Sequence, residues 1–206
     1  MKALHTPSLF SWSALDEARN IDFNGTLWKS NAGNVVFDPM PLTPHNTQRL
    51  MDLGGADFVM ISNSDHIRAA KAVCKLTGAQ LCAPVAEQAI FREALPALSD
   101  SAIWLGEGDE PIEGLRVIEL HGSKTLGELA FLIEGHTLLC GDLIRAHSAN
   151  TLMILPDGKL NDKASAIQSL SKLIKIDTIQ HVLVGDGWPL FNQGHQALTD
   201  LHARLA

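Results

Sequence analysis

Asp65 and His66 stand side by side where an apolar stretch, ADFVMIS (56–62), gives way to an amphipathic one. Two further carboxylates occupy the same kind of place: Asp142 closes LLCGD and Asp186 closes HVLVGD. Carboxylates and imidazoles are the side chains that hold protons or cations. In layered α/β folds, ligand sites gather where strands end. These four residues, distant along the chain, are therefore expected to share a site. Each also has a plainer explanation. Asp65 would serve equally as a helix cap or first-turn acid, with His66 on the surface. Gly141-Asp142 and Gly185-Asp186-Gly187 are ordinary turn signals. Ser62 and Ser64 flank the pair, but no G-x-S-x-G elbow surrounds them to make a hydrolytic serine.

The elements that must carry these residues can be read from the pattern of apolar residues. LFSWSAL, GTLWKS and NVVFDP are short β-branched or aromatic runs, the last two separated by Gly33-Asn34 at a turn. TPHNTQRLMDLGG reads as a helix capped by Thr43, with Pro44 in its first turn and Gly54-Gly55 as its stop. Strand 56–62 then leads into a helix over 66–76, and strand AQLCA into a helix over about 85–93. AIWL, LRVIEL, ELAFLIE and HTLLCGDL are further strands, with an acidic loop, GEGDEP, between the first two. DKASAIQSLSKLIK places Ala166, Ile167, Leu170 and Leu173 on one helical face. Strand HVLVGD and an amphipathic helix from about Gly194 follow. Region 143–163 carries no readable motif, yet its place after Asp142 makes it the expected seat of specificity. Hairpins mixed with strand–helix alternation predict an α/β domain whose sheets are covered by helices.

At 206 residues the chain can bury a sizeable core, and a single domain over 1–206 is expected. Its 46% hydrophobic and 19% charged residues suit a globular protein. A formal net charge of -7 and no Lys/Arg cluster argue against nucleic acid as a partner. No apolar run approaches the roughly 18–20 residues that span a bilayer, and the N-terminal stretch lacks the apolar core of a secretion signal. Cys74, Cys82 and Cys140 lie in apolar surroundings, an odd count that fits packed thiols in a reducing cytoplasm.

The order of these features resembles the metallo-β-lactamase fold superfamily. The superfamily's H-x-H-x-D-H motif is matched by Ile61-Ser62-Asn63-Ser64-Asp65-His66. Its GHTPGSLAF-like run is matched by SKTLGELAF (123–131), with Lys124 at the histidine's position. Its strand ending in Gly-Asp is matched by LLCGDL and Asp142, and its Gly-His-Gly by VGDGWP, with Asp186 in place of the histidine. The resemblance implies an αββα sandwich of two mixed β-sheets flanked by helices, with a metal cleft fed by loops at the strand ends.

It also implies what has been lost. The three histidines of the family's first metal site correspond to Ile61, Asn63 and Lys124, which make no such site. The second site keeps four residues able to bind metal: Asp65, His66, Asp142 and Asp186. Three oxygens and one nitrogen would suit Mn, Fe(II) or Mg as well as Zn. Two functions follow. One is a hydrolase-like enzyme with at most one divalent metal, Asp65 and Lys124 taking part in catalysis, acting on an ester, lactone or phosphoester. The other is a non-catalytic, metal-free member of the fold, binding a small molecule or partner, with Lys124 replacing the cation. Taken alone, Lys124 is a solvated surface lysine. His121, His147 and His195 lie near the motifs as displaced ligands or polar loop residues, and Trp188 as a cleft wall or packing residue. His5, His45, His136, His181 and His202 have no motif support.

Overall fold

The computed structural model describes residues 1–4 and 6–205; His5 lies outside the described residues. The chain divides into two compact units, Met1–Leu105 and Gly106–Ala206.

The first unit is built on a seven-stranded sheet whose spatial order equals its sequence order: β1 (Lys2–Ala3), β2 (Leu9–Asp16), β3 (Ile21–Trp28), β4 (Val35–Phe37), β5 (Phe58–Met60), β6 (Gln80–Pro84) and β7 (Ile103–Leu105). β1 to β4 pair antiparallel, and β4 to β7 pair parallel. The switch has a local cause. β2 and β3 alternate and close as a long hairpin, whereas each parallel strand is followed by a helical return. α1 (Pro44–Asp52) connects β4 to β5, α2 (Ala70–Thr77) connects β5 to β6, and α3 (Gln88–Ala94) with α4 (Pro96–Ser99) connects β6 to β7. Thr43 caps α1 as expected, its side chain accepting from the Asn46 amide at 3.1 Å. The turn before β4 centres on Asn31-Ala32, two residues ahead of Gly33-Asn34. Phe10, Trp12, Leu27, Val36, Leu50, Val59, Ile61, Val73, Leu81 and Phe91 form the core. Burying each large apolar side chain contributes about 1.5–3 kcal/mol.

The second unit holds a four-stranded sheet in the order β13-β10-β9-β8 and a separate two-stranded ribbon, β11-β12. β8 (Leu115–Leu120), β9 (Glu128–Ile133) and β10 (Thr137–Cys140) form an antiparallel meander, and β13 (His181–Val184) joins β10 in parallel. α5 (Lys163–Leu173) contacts β8, and α6 (Gly194–Leu205) contacts β13. Asp162 caps α5, accepting from the Ala164 and Ser165 amides. Of the four residues expected on the buried face of α5, Ala166, Leu170 and Leu173 are fully enclosed and Ile167 is half-buried. The ribbon is β11 (Ile144–Ser148) with β12 (Thr151–Ile154). It fills the region that the sequence leaves blank.

The fold is thus mixed α/β, with several mixed sheets flanked by helices, in agreement with the sequence. All three cysteines are buried free thiols. Burial pushes Cys74 up to about 11 and Cys82 up to about 12, and raises Cys140 well above the ordinary range, so none is a reactive thiolate. Among the described residues, no helix is long and apolar enough to cross a membrane.

Candidate functional site

In the first unit, polar side chains converge where the parallel strands end. The pairing of β4 with β5 sets Phe37 beside Met60, and the Asp38 amide continues the ladder to the Met60 carbonyl at 3.1 Å. Asp38 then leaves the sheet with φ +44, a left-handed conformation that costs a non-glycine residue about 1–2 kcal/mol. Its carboxylate is spent on the opposite strand end. Oδ1 accepts from the Ser62 amide at 2.8 Å. Oδ2 accepts from Ser62 Oγ at 2.7 Å and lies 2.8 Å from His66 Nδ1. An ionised carboxylate only accepts, so the Nδ1 that faces it carries a proton and the ring is anchored through that nitrogen. Asp38, Ser62 and His66 are all essentially buried.

The helix expected over 66–76 begins only at Ala70. Ser64–His66 instead form a single 3-10 turn, capped by Asn63, whose Oδ1 accepts from the Asp65 amide at 3.0 Å. Buried Glu87, just after β6, accepts from the Ser64 amide. Asp65 is exposed on this turn while His66 points inward. Ile61 belongs to the core. Ser62 is no nucleophile here: it sits on Nδ1, the protonated ring atom, and is fully enclosed.

In the second unit, Lys124 and Asp142 meet. Lys124 Nζ lies 3.0 Å from Asp142 Oδ2, with the carboxylate side chain 7% exposed and the lysine 31%. Two features place them. The loop bearing Lys124 is laid on the start of α5: the Asp162 amide donates to the Gly122 carbonyl, and Asn161 Nδ2 donates to the Lys124 carbonyl at 3.1 Å. Gly122 permits that approach, because a Cβ there would stand 2.2 Å from the Asp162 carbonyl oxygen. The second feature is Glu128 at the head of β9, fully buried. One of its oxygens accepts from Ser123 Oγ and the other from the Leu143 amide at 2.8 Å. Glu128 thereby ties the residue before Lys124 to the residue after Asp142.

Asp186 has taken a different partner. Arg145 Nε donates to both carboxylate oxygens, at 3.0 and 2.7 Å, and the guanidinium also donates through Nη2. Both side chains are buried, at 10% and 3% exposure. Such a fork is among the stronger charged contacts. His147, also on the strand that carries Arg145, brings Nε2 to 3.5 Å from the same carboxylate. β11 reaches Asp186 because Ala146 bridges in parallel to Gly187, with the Trp188 amide donating to the Ala146 carbonyl at 2.8 Å. A Cβ on Gly187 would lie 2.2 Å from that carbonyl oxygen, and its φ is +91. The Gly-Asp-Gly run is therefore more than a turn: it lets one backbone pass close against another. Trp188 emerges exposed beside it.

The residues singled out from sequence are thus distributed: Asp65 and His66 in the first unit, Lys124, Asp142 and Asp186 in the second. Lys124 and Asp142 are brought together. His121 is an exposed residue near Glu119, and His195 is anchored to the Ile174 carbonyl at 2.8 Å. Sequence reasoning missed Asp38, Glu128 and Arg145. Arg145 lies in region 143–163, flagged but unread; nothing in the spacing of Asp38 or Glu128 marks them.

Residues 1–205 match a family model described as the metallo-beta-lactamase superfamily. No curated protein matches the chain. Among solved structures, the chain is similar to the DIM-1 metallo-beta-lactamase, at 12% identity and TM-score 0.74 over 100% of this chain and 97% of that one. An archaeal metallo-beta-lactamase superfamily protein from Sulfolobus tokodaii aligns at 13% identity and TM-score 0.74, covering 96% and 85%. The metallo-beta-lactamase FIM-1 from Pseudomonas aeruginosa, in its mono-zinc form, aligns at 12% identity and TM-score 0.70, covering 99% and 95%. At such identities the likeness shows the fold alone.

Proposed function

The chain belongs to the metallo-beta-lactamase superfamily, and on that premise we propose that it is a metal-independent, non-hydrolytic member, a binding protein whose own cations stand where the family places metal. The observation that carries this reading is the pairing of both acids in the second unit: Lys124 lies 3.0 Å from Asp142, and the Arg145 guanidinium grips both oxygens of Asp186. A divalent ion on Asp186 would have to displace a buried, forked guanidinium. On Asp142 it would sit beside an ammonium. Either arrangement sets like charges together in a medium that screens them poorly. Positions 61, 63 and 124, where the family pattern has histidines, hold a core isoleucine, a capping asparagine and the paired lysine. This donor set does not fit a divalent cation.

One observation favours the other reading, a hydrolase with a single metal. His66 is held through Nδ1 by a buried carboxylate, as metal-ligating histidines generally are. The same bond also has a structural use, closing the end of β5 onto the end of β4.

Elemental analysis separates the two. Protein purified without chelator from cells supplied with Zn and Mn should carry well under one ion per chain, and its melting temperature should not move when chelator is added. One tightly held ion per chain, with a melting temperature that drops on chelation, would overturn the proposal.

A further inference from the structure

The second unit has a cavity of about 470 Å³ that shares no residue with the Lys124 and Arg145 pairs. Its size falls within the range of about 300–1,000 Å³ of small-molecule sites. Three stretches line it: the tip of the β11–β12 ribbon, the loop after β13, and one face of α6. The side chains that give it character are Asn150, Asn192, Gln193, Gln196, Asp200 and Arg204. Gln196, Asp200 and Arg204 follow one another at four-residue spacing and so share a helical face.

The chemistry of that lining selects a ligand class. Four carboxamides each present an acceptor oxygen and a donor nitrogen. A hydroxyl group both donates and accepts, so a polyhydroxylated molecule matches them where a carboxylate or an ammonium would use only half. Asp200 and Arg204 carry opposite charges, so the lining offers no net charge to draw an ion. Half-buried Phe191 adds an aromatic wall, the flat apolar surface on which the C–H face of a pyranose ring can lie.

The site is also set in advance. Gln196 Nε2 donates to Asp200 Oδ1 at 2.8 Å, and Arg204 Nη2 donates to the Leu152 carbonyl at 2.7 Å. These bonds restrain Gln196 and Arg204, the two long side chains among them, which reduces the entropy a ligand must remove. The side chains of Asn150, Asn192 and Gln193 make no hydrogen bond among the described residues. All three residues have left-handed backbone, at φ +56, +65 and +54.

We propose that this cavity binds a neutral saccharide of one or two pyranose rings, through its carboxamides and the Phe191 ring. The test uses the intact chain, with saturation-transfer NMR and calorimetry against maltose, N,N′-diacetylchitobiose and sucrose. Inorganic phosphate and citrate serve as anionic probes. Asn192→Gly removes a carboxamide while relieving the left-handed backbone, so it should fold at least as well as the parent. Gln196→Ala removes a second carboxamide from an exposed helix position. We expect saturable binding of at least one of the saccharides, weakened about 3- to 10-fold in each variant at unchanged melting temperature. Absence of saturable binding by all three saccharides, binding that both variants leave intact, or binding of the anions in their place would each overturn it.

Discussion

Replacing Arg145 by methionine removes a buried cation and leaves a buried carboxylate behind. Arg145 Nε is 2.7 Å from Asp186 Oδ2, and the Asp186 side chain is 3% exposed. At that distance, in an effective dielectric of about 20, the gross attraction is about 6 kcal/mol. Desolvation offsets much of this, so the pair as a whole adds little. Losing one partner of a buried pair nevertheless costs about 3–5 kcal/mol. A second limit comes from protonation. Neutralising a carboxyl group of ordinary pKa costs roughly 4 kcal/mol at pH 7, and the stranded group will take that route if it is cheaper. The expected loss is therefore about 3–4 kcal/mol at pH 7–8. The sign of the pH dependence follows. A folded carboxyl pushed upward is penalised only where the unfolded chain would be ionised, so the loss shrinks by about 1.4 kcal/mol per unit as pH falls toward 4. At pH 5 roughly 1–2 kcal/mol should remain. Urea unfolding followed by tryptophan fluorescence and circular dichroism at pH 5 and pH 8 measures this, provided the slope m stays constant. The double variant Arg145→Met/Asp186→Leu removes both charges and should recover at least half the loss. Three results would refute the reasoning: a single variant within about 1 kcal/mol of the parent at pH 8, a loss equal at both pH values, or a double variant less stable than the single.

Lys124→Ala should destabilise by about 1–3 kcal/mol, between exposed and buried ion pairs, because Lys124 keeps a third of its surface in water; chelator should produce no further change in its melting temperature. Gly187→Ala should cost at least about 3 kcal/mol, since its Cβ meets a carbonyl oxygen at 2.2 Å on left-handed backbone, read as a lowered urea midpoint. Asp162 is held below its ordinary pKa of 3.8 by hydrogen bonds from Ser165 and Ala164. A carboxyl lowered on folding stabilises above its unfolded pKa and ceases to as pH falls through the folded value. The stability gap between the parent and Asp162→Ala should thus be full at neutral pH and narrow below pH 3.8, as an acid titration of the unfolding midpoint would show.

Much of the scaffold was readable because its determinants are local. Thr43 and Asp162 lie within three residues of the amides they cap, and the face of α5 follows from helical spacing. Strand 115–120 matches its apolar run residue for residue. The helix expected from His66 was misplaced for a local reason too. Asn63 caps a 3-10 turn there, a competitor that apolar spacing does not register. The β11–β12 ribbon was missed because its bulged register between Arg145 and Ser148 breaks the alternation by which a strand is recognised.

By itself, the sequence determined most of the elements, their order and the superfamily they resemble. What it could not state was which charge each acid would meet. Asp186 is answered by Arg145, 41 residues away, and His66 by Asp38, 28 residues away. Caps and amphipathic faces depend on neighbours along the chain, whereas an ion pair depends on distance in space and on burial. Only the tertiary structure sets those two quantities, by running β4 parallel to β5 and by passing β11 over a glycine with no side chain to hold it off.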